Sequence, residues 1–191
     1  MASFSRLALE DYLKTLDIKA GRVLDCGSGQ QSIKKRTKSF DVKELVGLDL
    51  EKPHEGNKQD IVCDLNEVYR FKSYESYFDI AFCVEVSEYL WNPVQAFKNM
   101  NWFIKKGGIL YVSFHTVYPI HQPDEFDSIR LTPSGARKIL EETGFEILEV
   151  VPRKFRHIDS YMDLIVYEGM RQSKTYEMHG WSGFIIKARK K

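Results

Sequence analysis

Ten residues near the amino end hold the most chemically informative spacing in the chain. Arg22-Val23-Leu24-Asp25-Cys26-Gly27-Ser28-Gly29-Gln30-Gln31 takes a short apolar strand into a carboxylate and then two closely spaced glycines. A further carboxylate, Asp49, closes the run Val46-Gly47-Leu48-Asp49-Leu50, about twenty residues beyond the second glycine. Glycines let the backbone approach a ligand, and a carboxylate ending a second strand accepts hydrogen bonds from ribose hydroxyls. Both features suit a nucleoside pocket, whether for a dinucleotide or for S-adenosylmethionine. Asp25 separates the two. A carboxylate beside the glycines repels a pyrophosphate but favours the ammonium and sulfonium of S-adenosylmethionine. Ser32 also stands where a Gly-x-Gly-x-x-Gly signature needs its last glycine. The loop therefore predicts S-adenosylmethionine, with S-adenosyl-L-homocysteine as the product.

An activated methyl group leaves the protein mainly to position an acceptor. A hydroxyl acceptor must also lose its proton, and histidine is the side chain best poised for that near neutral pH. His115 and His121 follow a predicted fifth strand, at the edge where such sheets hold ligands. His121 is the leading base, with Asp127 as the partner that orients it and His115 as a second catalytic candidate. A surface or capping role for His121 is the plain alternative. Arg130 suits an anionic group on a substrate, or else a pairing with Asp127 or Glu125 that holds the loop. Tyr118, Phe126, Tyr161, Tyr167, Tyr176 and Trp181 could wall a pocket for a sugar ring or planar substrate, or simply pack in the core. Cys26, Cys63 and Cys83 fall near predicted strand ends. With no Cys-x-x-Cys or His-x-x-His spacing in the chain, they predict packing, no disulfide framework and no metal site.

These residues need a sheet to hold them. Leu7, Leu13 and Leu16 mark an amphipathic helix over 5–17. Strands are predicted over 22–26, 44–49, 60–64 and 78–83, with a short basic helix and loop at 32–40. Asn92 caps a helix whose first position is Pro93 and whose buried stripe is Ala96, Phe97, Met100 and Ile104, ended by Gly107-Gly108. A fifth strand spans 109–114. Thr132-Pro133 opens a helix that packs Ala136, Ile139 and Leu140 inward and stops at Gly144. A sixth strand follows at 145–151, then a helix or loop at 158–172 and a last strand at 180–187. The alternation predicts a Rossmann-like α/β fold. It is a doubly wound, mostly parallel seven-stranded sheet with helices on both faces and an antiparallel last strand.

At 191 residues the chain is expected to be a single domain, 1–191. A formal charge of +1 gives no field to draw it to nucleic acid or an anionic membrane. Lys34-Lys35-Arg36, Arg153-Lys154 and the basic tail read as solvated faces. No apolar run approaches the roughly 20 residues that cross a bilayer. The segment Met1-Ala2-Ser3-Phe4-Ser5-Arg6 lacks the apolar core of a secretory signal, so a cytoplasmic location is expected. Neither an Asn/Asp-Pro-Pro-Tyr/Phe motif after strand four nor a Pro-Cys nucleophile is present, which disfavours nucleic-acid bases as acceptors. Oligomeric state leaves no mark on the sequence.

With these pieces in order, the chain resembles the class I S-adenosylmethionine-dependent methyltransferases, in particular the small type 11 group. The resemblance runs through Val23-Leu24-Asp25-Cys26-Gly27-Ser28-Gly29, Asp49 and Ile61-Val62-Cys63-Asp64-Leu65. It continues through the strand-four motif from Phe78 to Leu90 and the turn Lys106-Gly107-Gly108-Ile109-Leu110. It implies a cofactor pocket of Asp25, Cys26, Gly27, Ser28, Gly29, Asp49, Leu50, Asp64, Leu65, Cys83 and Glu85. Asp64 would meet the adenine amino group, helix capping being its ordinary alternative. Three departures stand out: Gln31 replaces a third glycine, Tyr89 replaces the frequent histidine after Glu88, and Lys106 replaces a proline. That histidine's role is therefore not carried over, and Glu88 is expected to be structural or exposed. His121, Pro123, Asp127, Arg130, Leu131 and Thr132 look like a His-x-x-Pro-x-Asp-x-x-Arg-x-Thr signature, with a longer gap between Pro123 and Asp127. Relatives with that signature sit in glycan-modification settings. The expected function is O-methylation of a small molecule or glycan. The alternatives are a non-catalytic cofactor-binding or scaffolding subunit, or an RNA methyltransferase.

Overall fold

Ser3 accepts a hydrogen bond from the Arg6 amide (3.1 Å) and so caps α1, Phe4–Leu13, which seals Leu9 and Leu13 from solvent. The computed structural model describes residues 3–29, 32–50, 59–68, 72–154 and 181–191. The first helix is shorter than the leucine spacing predicts, because Leu16 is drawn into the turn before β1. Its carbonyl accepts from the amides of Lys38 and Ser39 at 3.1 and 3.4 Å. β1 (Asp17–Cys26) and β2 (Ser39–Asp49) both begin about five residues before their apolar runs. The added length pairs Asp17 through Ala20 with Ser39 through Val42, where half the side chains face water, so hydropathy hides it. Only a turn of 3₁₀ helix, Ile33–Lys35, lies between the two strands.

β3 (Ile61–Val62) and β4 (Phe78–Cys83) complete the amino half of the sheet. Asn92 and Pro93 open α2, Pro93–Phe103, as their types predict. Its end is different from the expectation. Ile104 turns to an extended conformation and begins β5, Ile104–His115. Gly107-Gly108 is not the helix stop but an irregularity within the strand. Gly107 has φ +79°, and a side chain on Gly108 would meet the Asp79 carbonyl at 2.9 Å. Thr132 caps α3, Pro133–Glu142, which ends at Gly144 with φ +92°. β6 (Phe145–Lys154) and β7 (Trp181–Lys190) finish the fold. The segment 158–172, expected as a helix or loop, lies outside the described residues, as does Gln31.

The strands form one seven-stranded sheet in the order β3-β2-β1-β4-β5-β7-β6. All pair in parallel except β7, which is antiparallel to β5 and β6. α1 packs on one face over Val23, Phe82, Tyr111 and Ile185. α2 and α3 pack on the other, over Leu24, Ala81, Leu110 and Ile186. Strand order reverses between β1 and β4, so their carboxyl ends splay around a crevice, the place where open parallel sheets bind ligands. No helix among the described residues is long and apolar enough to cross a membrane.

Candidate active site

The glycine loop leaves β1 through Gly27, whose φ of +73° favours a residue without a Cβ. Val86, from just beyond β4, fills the space a side chain there would take, at 2.2 Å from the ideal Cβ position. The loop is then tied across to β2. The Gly27 amide donates to the Leu48 carbonyl (2.8 Å), and the Gly29 amide donates to Asp49 Oδ2 (2.8 Å). Asp49 Oδ1 accepts from the Leu50 amide at 2.8 Å. A carboxylate oxygen has two lone pairs, so Asp49 keeps an acceptor site on each oxygen.

Asp25 stands deeper. It is 6% exposed, and its Oδ2 accepts from the Ile33 amide at 2.9 Å, so it fixes the turn after the loop. Burial pushes its carboxyl up to about 6, against the opposing pull of the Ile33 amide and Arg36. Because the folded value exceeds the unfolded one, the protonated form stabilises the fold fully below pH about 4. That contribution is lost as pH rises through about 6, at a cost of up to about 3 kcal/mol. Asp25→Asn keeps an acceptor for Ile33 and should abolish this decline, leaving the variant more stable than the parent at pH 7.5. Urea midpoints at pH 4 and 7.5 measure it; an unchanged pH slope contradicts it.

Cys26 and Cys83 are register partners on β1 and β4. All three cysteines are buried free thiols, and burial raises each of them, Cys63 to about 12. They stay protonated and pack in the core as small apolar groups. Leu65 is buried and Leu50 is exposed. Asp64 is exposed, and its Oδ1 accepts from the backbone and side-chain nitrogens of Asn66, both at 2.9 Å. Glu85 belongs to a different group. It follows β4 with φ +60°, and its Oε1 accepts from Arg153 Nη1 (2.6 Å) and Ser113 Oγ (3.2 Å).

That second group assembles where β4 and β5 end. Glu88, expected to be structural or exposed, is 1% exposed and central to it. Its Oε1 lies 3.2 Å from His121 Nδ1 and 3.5 Å from His115 Nε2. His115 Nε2 also stands 3.6 Å from Glu85 Oε2. Distances of that length are too great for good hydrogen bonds. Among the described residues, neither His115 nitrogen has a hydrogen-bond partner, nor has Glu88 Oε2. Burial works against a charge on His115, but the two carboxylates outweigh it and raise the imidazole above its usual range. Burial likewise opposes ionisation of Glu85 and Glu88, and is overcome chiefly by His115, with Arg153 aiding Glu85 and His121 aiding Glu88. Both carboxyls therefore sit below the ordinary range.

His121 is the accessible member, its side chain 37% exposed. Tyr89 fixes its proton. The Tyr89 hydroxyl donates its single proton to the Gln122 carbonyl (2.6 Å), so at His121 Nδ1 (2.8 Å) it can only accept. Nδ1 therefore carries the hydrogen, shared between Tyr89 Oη and Glu88 Oε1. In the neutral ring the lone pair then falls on Nε2, which has no partner among the described residues. Asp127 serves differently from the expectation. It accepts from the His121 backbone amide (2.6 Å), not from the ring, because Arg130 engages its carboxylate at 2.5 Å through both terminal nitrogens. Arg130 is in turn not a free clamp for substrate. All five of its N–H donors are used, on Asp127 twice and on the carbonyls of Tyr118, Pro119 and Ile129. Tyr118 packs its ring 4.3 Å from that of His115 and donates to Ser3 Oγ. Phe126 is exposed, Trp181 is half-buried, and Tyr161, Tyr167 and Tyr176 lie outside the described residues.

A sheet of this order, with its antiparallel penultimate strand and a glycine loop facing an acidic strand end, defines the Rossmann-like methyltransferase fold. Residues 24–112 match the family described as "Methyltransferase domain". The chain is similar in structure to an S-adenosylmethionine-dependent methyltransferase of Mesorhizobium loti, at TM-score 0.64 and 16% identity over 97% of this chain and 98% of that one. It is also similar to a chain of the complex between the Haloferax volcanii Trm112 methyltransferase activator and a methyltransferase. There the TM-score is 0.63 and the identity 14%, over 100% and 98% of the two chains. A third likeness is to Haemonchus contortus phosphoethanolamine N-methyltransferase 2 bound to S-adenosyl-L-methionine, at TM-score 0.59 and 17% identity, over 97% of this chain and 51% of that one. No curated protein sequence matches the chain. Residues 24–112 thus form a methyltransferase domain within the Rossmann-like methyltransferase fold, and S-adenosylmethionine is the cofactor that such a domain uses.

Proposed function

We propose that the protein transfers a methyl group to a hydroxyl oxygen of a small molecule or glycan, with His121 as the general base. The observation that carries this reading is the half-exposed His121 ring, whose Nδ1 is held by Glu88 Oε1 and Tyr89 Oη while Nε2 stays free. Asp49 and the Gly27–Gly29 loop hold the nucleoside, and their spare acceptors and open backbone suit a ribose diol. When bound, S-adenosylmethionine supplies an electrophilic methyl carbon with a neutral thioether as leaving group. His121 Nε2 takes the acceptor's hydroxyl proton, which turns a poor nucleophile into a good one. The imidazolium so formed lies against the Glu88 carboxylate, which offsets its charge.

Two measurements test this reading. Calorimetric titration should show S-adenosylhomocysteine binding weakened about 10- to 100-fold by Asp49→Ala, the worth of one or two hydrogen bonds to a charged group. Labelled methyl transfer from S-adenosylmethionine to a panel of hydroxylated acceptors should then give an O-methyl product. Unimpaired binding by the Asp49 variant contradicts the pocket, and label only on nitrogen or carbon contradicts the chemistry. The likeness to the Haloferax volcanii complex supports a second reading, in which a protein partner is needed. Val62, Val68 and Trp91 are exposed at 54, 65 and 58%, apolar surface that such a partner could cover. Activity appearing only on addition of a cell extract would favour that reading.

A further inference from the structure

Glu85, Glu88 and His115 each offer one ligand atom, and those three atoms lie within 4.8 Å of one another. Acidic groups alone make no site, but here the histidine is itself orphaned. Its side chain is 1% exposed, both nitrogens lack hydrogen-bond partners, and Nε2 faces the two carboxylates at 3.5 and 3.6 Å. Glu88 Oε2 is buried without a partner as well. Leaving buried polar atoms unpaired costs about 1–3 kcal/mol apiece, so an orphaned Nε2 beside an orphaned carboxylate oxygen calls for an explanation.

The spacing supplies one. Ligand atoms at about 2.1 Å from a common ion stand roughly 3.0 Å apart at right angles and roughly 3.4 Å apart in a tetrahedron. The 3.6 Å from His115 Nε2 to Glu85 Oε2 falls close to the tetrahedral value, where a hydrogen bond would be nearer 2.9 Å. The carboxylates are also held as metal ligands are held. Arg153 and Ser113 both bind Glu85 Oε1, which leaves Oε2 facing His115, with Arg6 Nη1 3.6 Å away. His121 Nδ1 binds Glu88 Oε1, which leaves Oε2 open. Tying one oxygen while freeing the other is how outer groups orient first-ligand carboxylates.

We propose that Glu85, Glu88 and His115 bind a divalent cation of the manganese, iron or zinc type. Two carboxylate oxygens and one imidazole nitrogen suit such borderline ions better than magnesium or calcium, which prefer oxygen alone. The site comes from the ends of β4 and β5, residues far apart in sequence, which is why no ligand spacing announced it. It shares Glu88 with the general-base reading, while His121 itself stays outside the ligand set.

Chelator-treated full-length protein is titrated with Mn²⁺, and the loss of the free-ion paramagnetic resonance signal is followed. A single Mn²⁺ per chain is expected, with affinity reduced about tenfold or more in Glu88→Gln and in His115→Ala. Circular dichroism establishes that each variant is folded, and either folded variant suffices. His121→Ala should keep the ion yet lose methyl transfer, which separates this proposal from the catalytic one. No uptake by the parent protein, or equal uptake by a folded Glu88→Gln or His115→Ala variant, overturns the site. The group would then be an ion-pair cluster with His115 protonated.

Discussion

His121→Ala is expected to lower methyl transfer to a hydroxyl acceptor by about 10²–10⁴-fold while S-adenosylhomocysteine binds as before. The magnitude is that of removing a positioned general base. The selectivity follows from the geometry, because the proposed nucleoside pocket lies at the ends of β1 and β2, whereas His121 rises from the loop after β5. Glu88→Gln should cost less than His121→Ala, since the ring stays in place but loses the charge that stabilises imidazolium. Tyr89→Phe removes only one of the two acceptors at Nδ1 and should cost least. Single-turnover rates at saturating cofactor give this order directly. Unchanged turnover in His121→Ala would remove the residue from the mechanism, and loss of cofactor binding would make its role structural.

The largest effect on stability is expected from Arg153→Met. Arg153 is wholly buried, its Nη1 2.6 Å from Glu85 Oε1 and its Nε bonded to the Ser5 carbonyl at 3.0 Å. Methionine fills much of the volume but strands a buried carboxylate and a carbonyl. Breaking one side of a buried ion pair typically costs about 3–5 kcal/mol, most of it from the charge left behind. The double variant Arg153→Met/Glu85→Gln removes that charge and should be the more stable of the two. Urea unfolding at pH 7 tests both. A loss below about 1 kcal/mol in the single variant would mean that His115 and Arg6 suffice to hold Glu85.

The glycine loop and Asp49 were legible because their meaning lies in contiguous spacing: a strand, a turn that needs glycine, and an acid at the next strand's end. The helix openings at Asn92-Pro93 and Thr132-Pro133 were legible for the same local reason. Strand starts were not, since ladder pairing carried β1 and β2 into half-solvated residues that carry no apolar signal. Glu88 was missed because its partners, His115 and His121, lie 27 and 33 residues away and meet it only once β5 is laid beside β4. One clue was present: two carboxylates, Glu85 and Glu88, set among Val84, Val86 and Leu90, invite buried partners. Arg130 could not be read at all as a tie, because three of its five acceptors are backbone carbonyls, which every residue possesses.

The loop carrying His121 is fastened to the residue that orients the ring. The amides of Ser128 and Ile129 donate to the Glu88 carbonyl at 2.8 and 3.2 Å, and Leu131 donates to the His115 carbonyl at 3.1 Å. Base and partner therefore ride on one anchor, and a small displacement of the loop carries both together. The outer stretch from Pro123 to Phe126 hangs beyond that anchor, with Phe126 54% exposed. On the general-base reading, selection can rewrite that outer stretch to grip a new acceptor without retuning the proton transfer. Reach and reactivity are thus separable properties of a single short segment.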